Sequence, residues 1–205
     1  EKGKQKPSRI KAKENGSEPS GVSVLPGFYK IKMQFGNQSA EEKIEVTYDP
    51  RVEMPFEVLK NKYDMLKQLE DKMDVAGKAT QRLLDSKEIV KDYQKRIKAQ
   101  KNKEKYKDIL KSHTEVLKKI DGLLDEMLGK EDKRQGITAT EFPSNVSYLE
   151  SANEYIRSLL QNPGTTETTL MKNADKKVSA VILKINEFYK TDWVNYKATV
   201  EKLSL

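Results

Sequence analysis

The sequence predicts a mainly α protein, an antiparallel four-helix bundle with long helices, preceded by a β-hairpin. Three observations carry this. Apolar residues recur at intervals of three and four from Pro55 onward, and two short runs before it alternate with period two. Charged residues fill 35% of the 205 positions, against roughly 25% in an average domain. Such a balance suits helices that bury one stripe and hydrate the remainder.

Residues 1–26 are polar and rich in Lys, Ser, Pro and Gly, with neither period, and read as a disordered arm. In 28–35, Tyr29, Ile31, Met33 and Phe35 alternate with Lys30, Lys32 and Gln34; in 42–48, Ile44, Val46 and Tyr48 alternate with Lys43, Glu45 and Thr47. The intervening Gly36-Asn37-Gln38-Ser39 supplies turn residues, which makes the pair a hairpin. Asp49-Pro50 ends it, because proline has no N–H for a ladder.

The first helix is expected from Pro55 to Ile97. Leu59, Leu66 and Met73 form one seven-residue series, and Leu69, Ala76, Leu83, Val90 and Ile97 another, weakened at Gly77. At 1.5 Å per residue this is on the order of 65 Å of helix. A break near Lys101–Lys103 starts the second, whose stripe is Tyr106, Ile109, His113, Val116, Ile120, Leu123 and Met127, with Gly129 as its stop. Residues 130–143 are a loop. Ser144 caps the third helix, which carries Leu149, Ala152, Ile156 and Leu159 to Asn162-Pro163-Gly164. Thr165 or Thr166 opens the fourth, with Met171, Ala174, Val178, Val181, Ile185 and Phe188 on the seam. Thr191-Asp192 bends or recaps the chain before Trp193, Tyr196, Val200 and Leu203. The division expected is 1–52, arm and hairpin, and 53–205, the bundle. A hairpin alone is marginal in water, so it needs further strands or a surface to lie on.

Lys and Arg number 39 and Asp and Glu 32, a net charge of +7. Part of the excess is local: the arm is basic, and Arg96, Lys98, Lys101, Lys103, Lys105 and Lys107 form a knot at the first interhelical turn. Only Tyr93 and Tyr106 lie near that knot, so a solvated helix end is expected, not a nucleic-acid site. The longest apolar run is Ala180-Val181-Ile182-Leu183, far short of the ~18 residues of a membrane span. The chain opens on Glu1 and has no apolar leader, as expected of a fragment or a processed chain.

The N-terminal motifs carry a resemblance. Pro7-Ser8-Arg9, Glu18-Pro19-Ser20-Gly21, Leu25-Pro26-Gly27-Phe28-Tyr29-Lys30 and Tyr48-Asp49-Pro50-Arg51 occur in that order. Together they resemble the C-terminal region of bacterial secreted proteins built on a sortilin-type, BNR-repeat propeller and described as glycosyl hydrolases. The likeness is specific over 7–51 and generic over the helices, where Asp192-Trp193 and Tyr196 look like the family's end. It implies that the hairpin closes an Ig-like β-sandwich, and that the helices are a C-terminal tail packed on the preceding propeller and Ig-like domains. It also implies an extracytoplasmic address in a bacterium: periplasm, outer membrane or secreted. The propeller box Ser-x-Asp-x-Gly-x-Thr-Trp is missing from this sequence, so any sugar hydrolysis belongs to blades outside it. Arg51 is expected to act at the joint of sheet and bundle, capping a carbonyl or pairing with a carboxylate.

Residue chemistry offers little catalysis. With no cysteine and one histidine, thiolate chemistry and His-based metal clusters are excluded. Asp121/Asp125 and Glu150/Glu154 stand four apart on polar faces, the spacing of solvated pairs and not of two acids facing one sugar. His113 lacks the Glu three residues before it that a di-metal bundle site uses, and reads as a core imidazole with one hydrogen bond. The glycines 122, 129, 136 and 164 are isolated, so no phosphate loop forms. Asn15, Asn37 and Asn145 match the glycosylation sequon, which a bacterial parent would not use. The binding candidates are Tyr189, Trp193 and Tyr196, whose rings could stack on a sugar. No cofactor or metal is expected. The function expected is therefore non-catalytic, structural or interactive, with a protein or glycan as possible partner. A helical module for an acidic polymer or glycan is the alternative.

Overall fold

A computed structural model describes residues 3–10, 19–51, 54–100, 104–130 and 144–203. Residues 131–143 of the loop expected at 130–143, the break at 101–103 and the Asn15 sequon lie outside these residues. The chain is mainly helical with one two-stranded antiparallel hairpin, as its sequence predicts.

Strands β1 (Gly27–Phe35) and β2 (Gln38–Val46) pair in register from Gly27–Val46 to Phe35–Gln38. The turn is tighter than expected. Gly36 takes φ +58 and Asn37 a negative φ, the II′ pattern whose twist matches the strands. Pairing therefore begins at Gln38, and Ser39 and Ala40 join the ladder.

Helix α1 (Phe56–Lys98) runs unbroken through Gly77 for 43 residues. A 3-10 turn at Glu104–Tyr106 leads into α2 (Lys107–Leu128), which stops at Gly129, φ +79. Ser144 caps α3 (Asn145–Ser158): its Oγ accepts from the Ser147 N–H at 3.0 Å. Helix α4 (Thr165–Lys190) begins after Gly164, whose N–H donates to Glu167 Oε2 at 2.6 Å. Glu167 thereby places a carboxylate at the positive helix end. Thr191 turns its hydroxyl back on the Glu187 carbonyl, the chain bends, and α5 (Asp192–Val200) follows.

The four helical segments of the sequence are present, the last divided at Thr191, but they do not stand four abreast. Lys62 of α1 meets the carbonyls of Arg157 and Leu159, and Lys87 meets Asp121, so α3 and α2 both run antiparallel to α1 at different levels. The Asn145 side chain donates to the Glu126 carbonyl, which sets α3 end to end on α2. Lys72–Asp175 at 2.6 Å and Ser86–Tyr189 at 2.9 Å set α4 parallel to α1. Lys184–Glu126 and Lys119–Asp192 then align α4 and α5 with α2. Three columns result: α1, α2 with α3, and α4 with α5. These pairs are mostly exposed and stabilise little; they report the register.

The apolar stripes fill the space between columns. Leu83, Val90, Ile97, Ile120, Met127, Leu149 and Ile156 are all fully buried. Small polar residues share the stripe of α1, with Thr80 and Ser86 buried beside them. The arm departs from expectation. Residues 3–10 and 19–22 lie on the bundle, and Val22 enters the core.

Leu83→Ala is expected to lower stability by about 2–5 kcal/mol through lost burial and a residual cavity. Phe35→Ala in the hairpin should change it by less than about 0.5 kcal/mol. Urea unfolding followed by helical circular dichroism measures both.

Candidate functional site

The hairpin largely separates apolar from charged side chains. Residues paired across the ladder share a face, so Tyr29, Ile31, Met33 and Phe35 join Ala40, Ile44 and Val46 on one side, where Glu42 opposite Ile31 and Gln38 opposite Phe35 are the polar members. The other side carries Lys30, Lys32, Glu41, Lys43, Glu45 and the exposed Phe28, with Lys30 and Glu41 2.7 Å apart. An apolar face of this kind is normally the inner wall of a two-layer packing. Here it is open: Phe35 is 83% exposed, Met33 67% and Ile31 51%. Only the base is held, by the Tyr29 hydroxyl donating to the Leu25 carbonyl at 2.6 Å and by half-buried Val46. Arg51 does not reach the bundle; its guanidinium clamps Asp49 two residues back, at 2.8 and 3.0 Å.

The sugar-stacking candidates gather where α4 meets α5. Their rings face one another and their neighbours: Phe188–Tyr189 centroids are 5.1 Å apart, Tyr189–Trp193 6.1 Å and Trp193–Tyr196 5.3 Å. The Arg82 guanidinium lies 3.6 Å from the Tyr189 centroid, and the Tyr189 hydroxyl bonds Ser86. Tyr189 and Tyr196 are buried and offer a sugar no open ring face. Trp193, half-buried, keeps some surface. This cluster locks the α4–α5 bend onto α1 and α2.

His113 is on the same level, fully buried and edge-on to Tyr196 at 5.4 Å. It differs from expectation in its bonding. Neither ring nitrogen, nor the Tyr196 hydroxyl, has a hydrogen-bond partner among the described residues. Burial holds the imidazole pKa below its ordinary value and pushes the Tyr196 phenol up, with Tyr93 adding to the latter.

The carboxylate pairs are not assembled for acid–base work. Asp121 pairs with Lys87 and Asp125 with Arg9, while Glu150 and Glu154 are exposed on one helix. Among the described residues no three His, Cys, Asp or Glu converge on a metal position, and no helix is long and apolar enough to cross a membrane. In the basic knot, Arg96 turns to Asp92 at 2.8 Å and Lys105 lies over Tyr106. The buried Ser86–Tyr189 bond escaped the sequence reading, although Ser86 falls on the stripe between Leu83 and Val90.

No protein-family model matches the chain, and neither a curated protein nor a solved structure matches it. The resemblance to the propeller family therefore stands on the motifs of residues 7–51 alone.

His113 carries a pH prediction. Its folded pKa lies below the 6.5 of the free imidazole, so the unfolded chain binds a proton that the fold refuses. Its contribution is complete above about pH 6.5 and is lost as pH falls below it. Melting temperatures between pH 8 and 5 should drop for the unaltered chain and flatten for His113→Leu. At pH 7.5 the variant should gain about 1–2 kcal/mol, because it removes two unpaired buried nitrogens.

Proposed function

We propose that this chain is a non-catalytic structural and interaction region of a larger, extracytoplasmic bacterial protein of the sortilin-type propeller kind. In this reading the hairpin closes a β-sandwich contributed by the preceding Ig-like module, and the helical columns brace that module against the propeller. A single observation carries it: a nine-residue-per-strand hairpin whose largely apolar face is open beyond its half-buried base, at Ile31, Met33 and Phe35, beside a helical body with its own core. A second sheet laid about 10 Å away would bury Ile31, Met33, Phe35 and Ile44 as one layer of a core and would supply a partner to Glu42 on the same face. The motifs of residues 7–51 support the same parentage.

The alternative, a helical module for an acidic polymer or glycan, draws less support. Arg96 is already paired, and two of the three candidate rings are buried. Heparin or polyphosphate binding that falls steeply with salt would favour it instead.

The reading is tested on the coding sequence upstream of Glu1 and on the protein it encodes. Propeller boxes are expected there, and the longer chain should protect the Ile31 and Met33 amides from hydrogen exchange at least about tenfold over the chain described here. In that longer chain Met33→Lys should undo the protection without melting the helices. A start codon immediately before Glu1 overturns the proposal, as does glycoside turnover by this chain that Glu150→Gln abolishes.

A further inference from the structure

Residues 3–10 lie extended along the groove between α1 and α3 and reach the joint of α2 with α3. Their burial alternates: Gly3, Gln5 and Pro7 are half-buried, Lys4 and Lys6 exposed, the pattern of an extended strand on a surface. Helix α1 is shaped to receive it. The Gln5 N–H donates to Asp74 Oδ1 at 3.2 Å, and a Cβ on Gly77 would stand 2.4 Å from the Gln5 carbonyl oxygen. Glycine in mid-helix costs about 1 kcal/mol against alanine; here it makes the notch through which a backbone passes. Between Lys4 and Lys6 of the arm, Glu70 and Met73 of α1, and Asn153 and Arg157 of α3, a gap of only about 20 Å³ is left.

At the far end Arg9 closes the contact. Its guanidinium donates to Asp125 at 2.7 Å and to the Gly129 carbonyl at the negative end of α2. The segment carries three cations and no anion, and Glu70, Asp74 and Asp125 line its path. Pro7 has no N–H, so it rests in the groove without needing an acceptor. A backbone notch, a carboxylate for a main-chain amide and an arginine seat together make a peptide-recognition surface.

We propose that this groove is a binding site for an extended basic segment with the order Gln-Lys-Pro-x-Arg. The chain fills it in cis with its own residues 5–9, and the same segment of a second copy enters it when the arm lifts. Exchange between copies reproduces every contact, because donor and receptor are identical in both, and only the connection differs. The site is independent of what covers the hairpin.

The test uses the full chain and a fluorescent synthetic peptide of residues 3–10. In Arg9→Ala the Gln5 amide should exchange about tenfold faster than in the unaltered chain. The peptide should bind that variant saturably at up to millimolar concentration, about tenfold more tightly than the unaltered chain, whose own arm competes. Higher salt should weaken the binding. Adding Gly77→Val, which fills the notch, or Asp125→Ala, which removes the arginine seat, should abolish it while helical circular dichroism persists; Asp74→Ala serves if Gly77→Val lowers helicity. Unchanged exchange at Gln5 in Arg9→Ala overturns the proposal. So does peptide binding that is absent from Arg9→Ala or undiminished in the double variants.

Discussion

The length of α1 is the constraint from which the rest follows. Forty-three residues make a rod of roughly 65 Å with an apolar stripe along it, and an uncovered stripe of that length would leave Leu66 to Ile97 in water. No other helix matches it. The 22 residues of α2 and 14 of α3, laid end to end, cover about 54 Å; the 26 of α4 and 9 of α5 cover about 53 Å. Two composite columns therefore do what two long helices would do, and each composite brings a joint that must be closed.

The joints are staggered and closed by different chemistry. The break between α2 and α3 leaves carbonyls at the end of α2, which Asn145 and Arg9 occupy. Lys62 does the same for the last carbonyls of α3, and burial beside Arg157 lowers its pKa. The bend between α4 and α5 keeps its backbone bonds, Thr191 to Glu187 and Asn195 to Thr191, and closes with interlocked rings. It falls near the level of Lys119 on α2, whereas the other joint lies beyond Glu126, so the two breaks never face each other. A continuous α1 spans both.

Much of the helical region could be read from apolar spacing, because burial in a bundle is a property of one face and recurs with the helix period. The stops at Gly129 and Ser144 and the bend at Thr191 were equally legible from local chemistry. Packing in columns was not: helical period says which face is covered and not which helix covers it. That deficit hid the fate of Tyr189 and Tyr196, whose residue types suit stacking on a sugar but whose faces are taken by Trp193, Phe188, His113 and Arg82. The arm escaped for another reason. It docks through a main-chain amide, a glycine notch and a guanidinium, and over residues 3–7 its alternation sets lysine against glycine, glutamine and proline, with no aliphatic or aromatic side chain to betray a buried side.

The contrast between arm and hairpin bears on what kind of surface the hairpin is. An extended polar segment with few apolar atoms is held on the bundle by notch and charge, whereas a segment with seven apolar side chains on one face is left standing off it. Hydrophobic burial is the larger force, and it would favour the opposite outcome if the bundle offered a continuous apolar surface. The stripes are used between the three columns, and the apolar side chains still exposed on the helices, Val75, Ile89, Leu183 and Val194 among them, are not covered by the hairpin. The chain before the hairpin is anchored by Val22 in the core, and the hairpin beyond it stands off the helices. A one-sided sheet with two free edges is complementary to another sheet far more than to a small ligand, since only an extended layer can cover Ile31, Met33 and Phe35 at once.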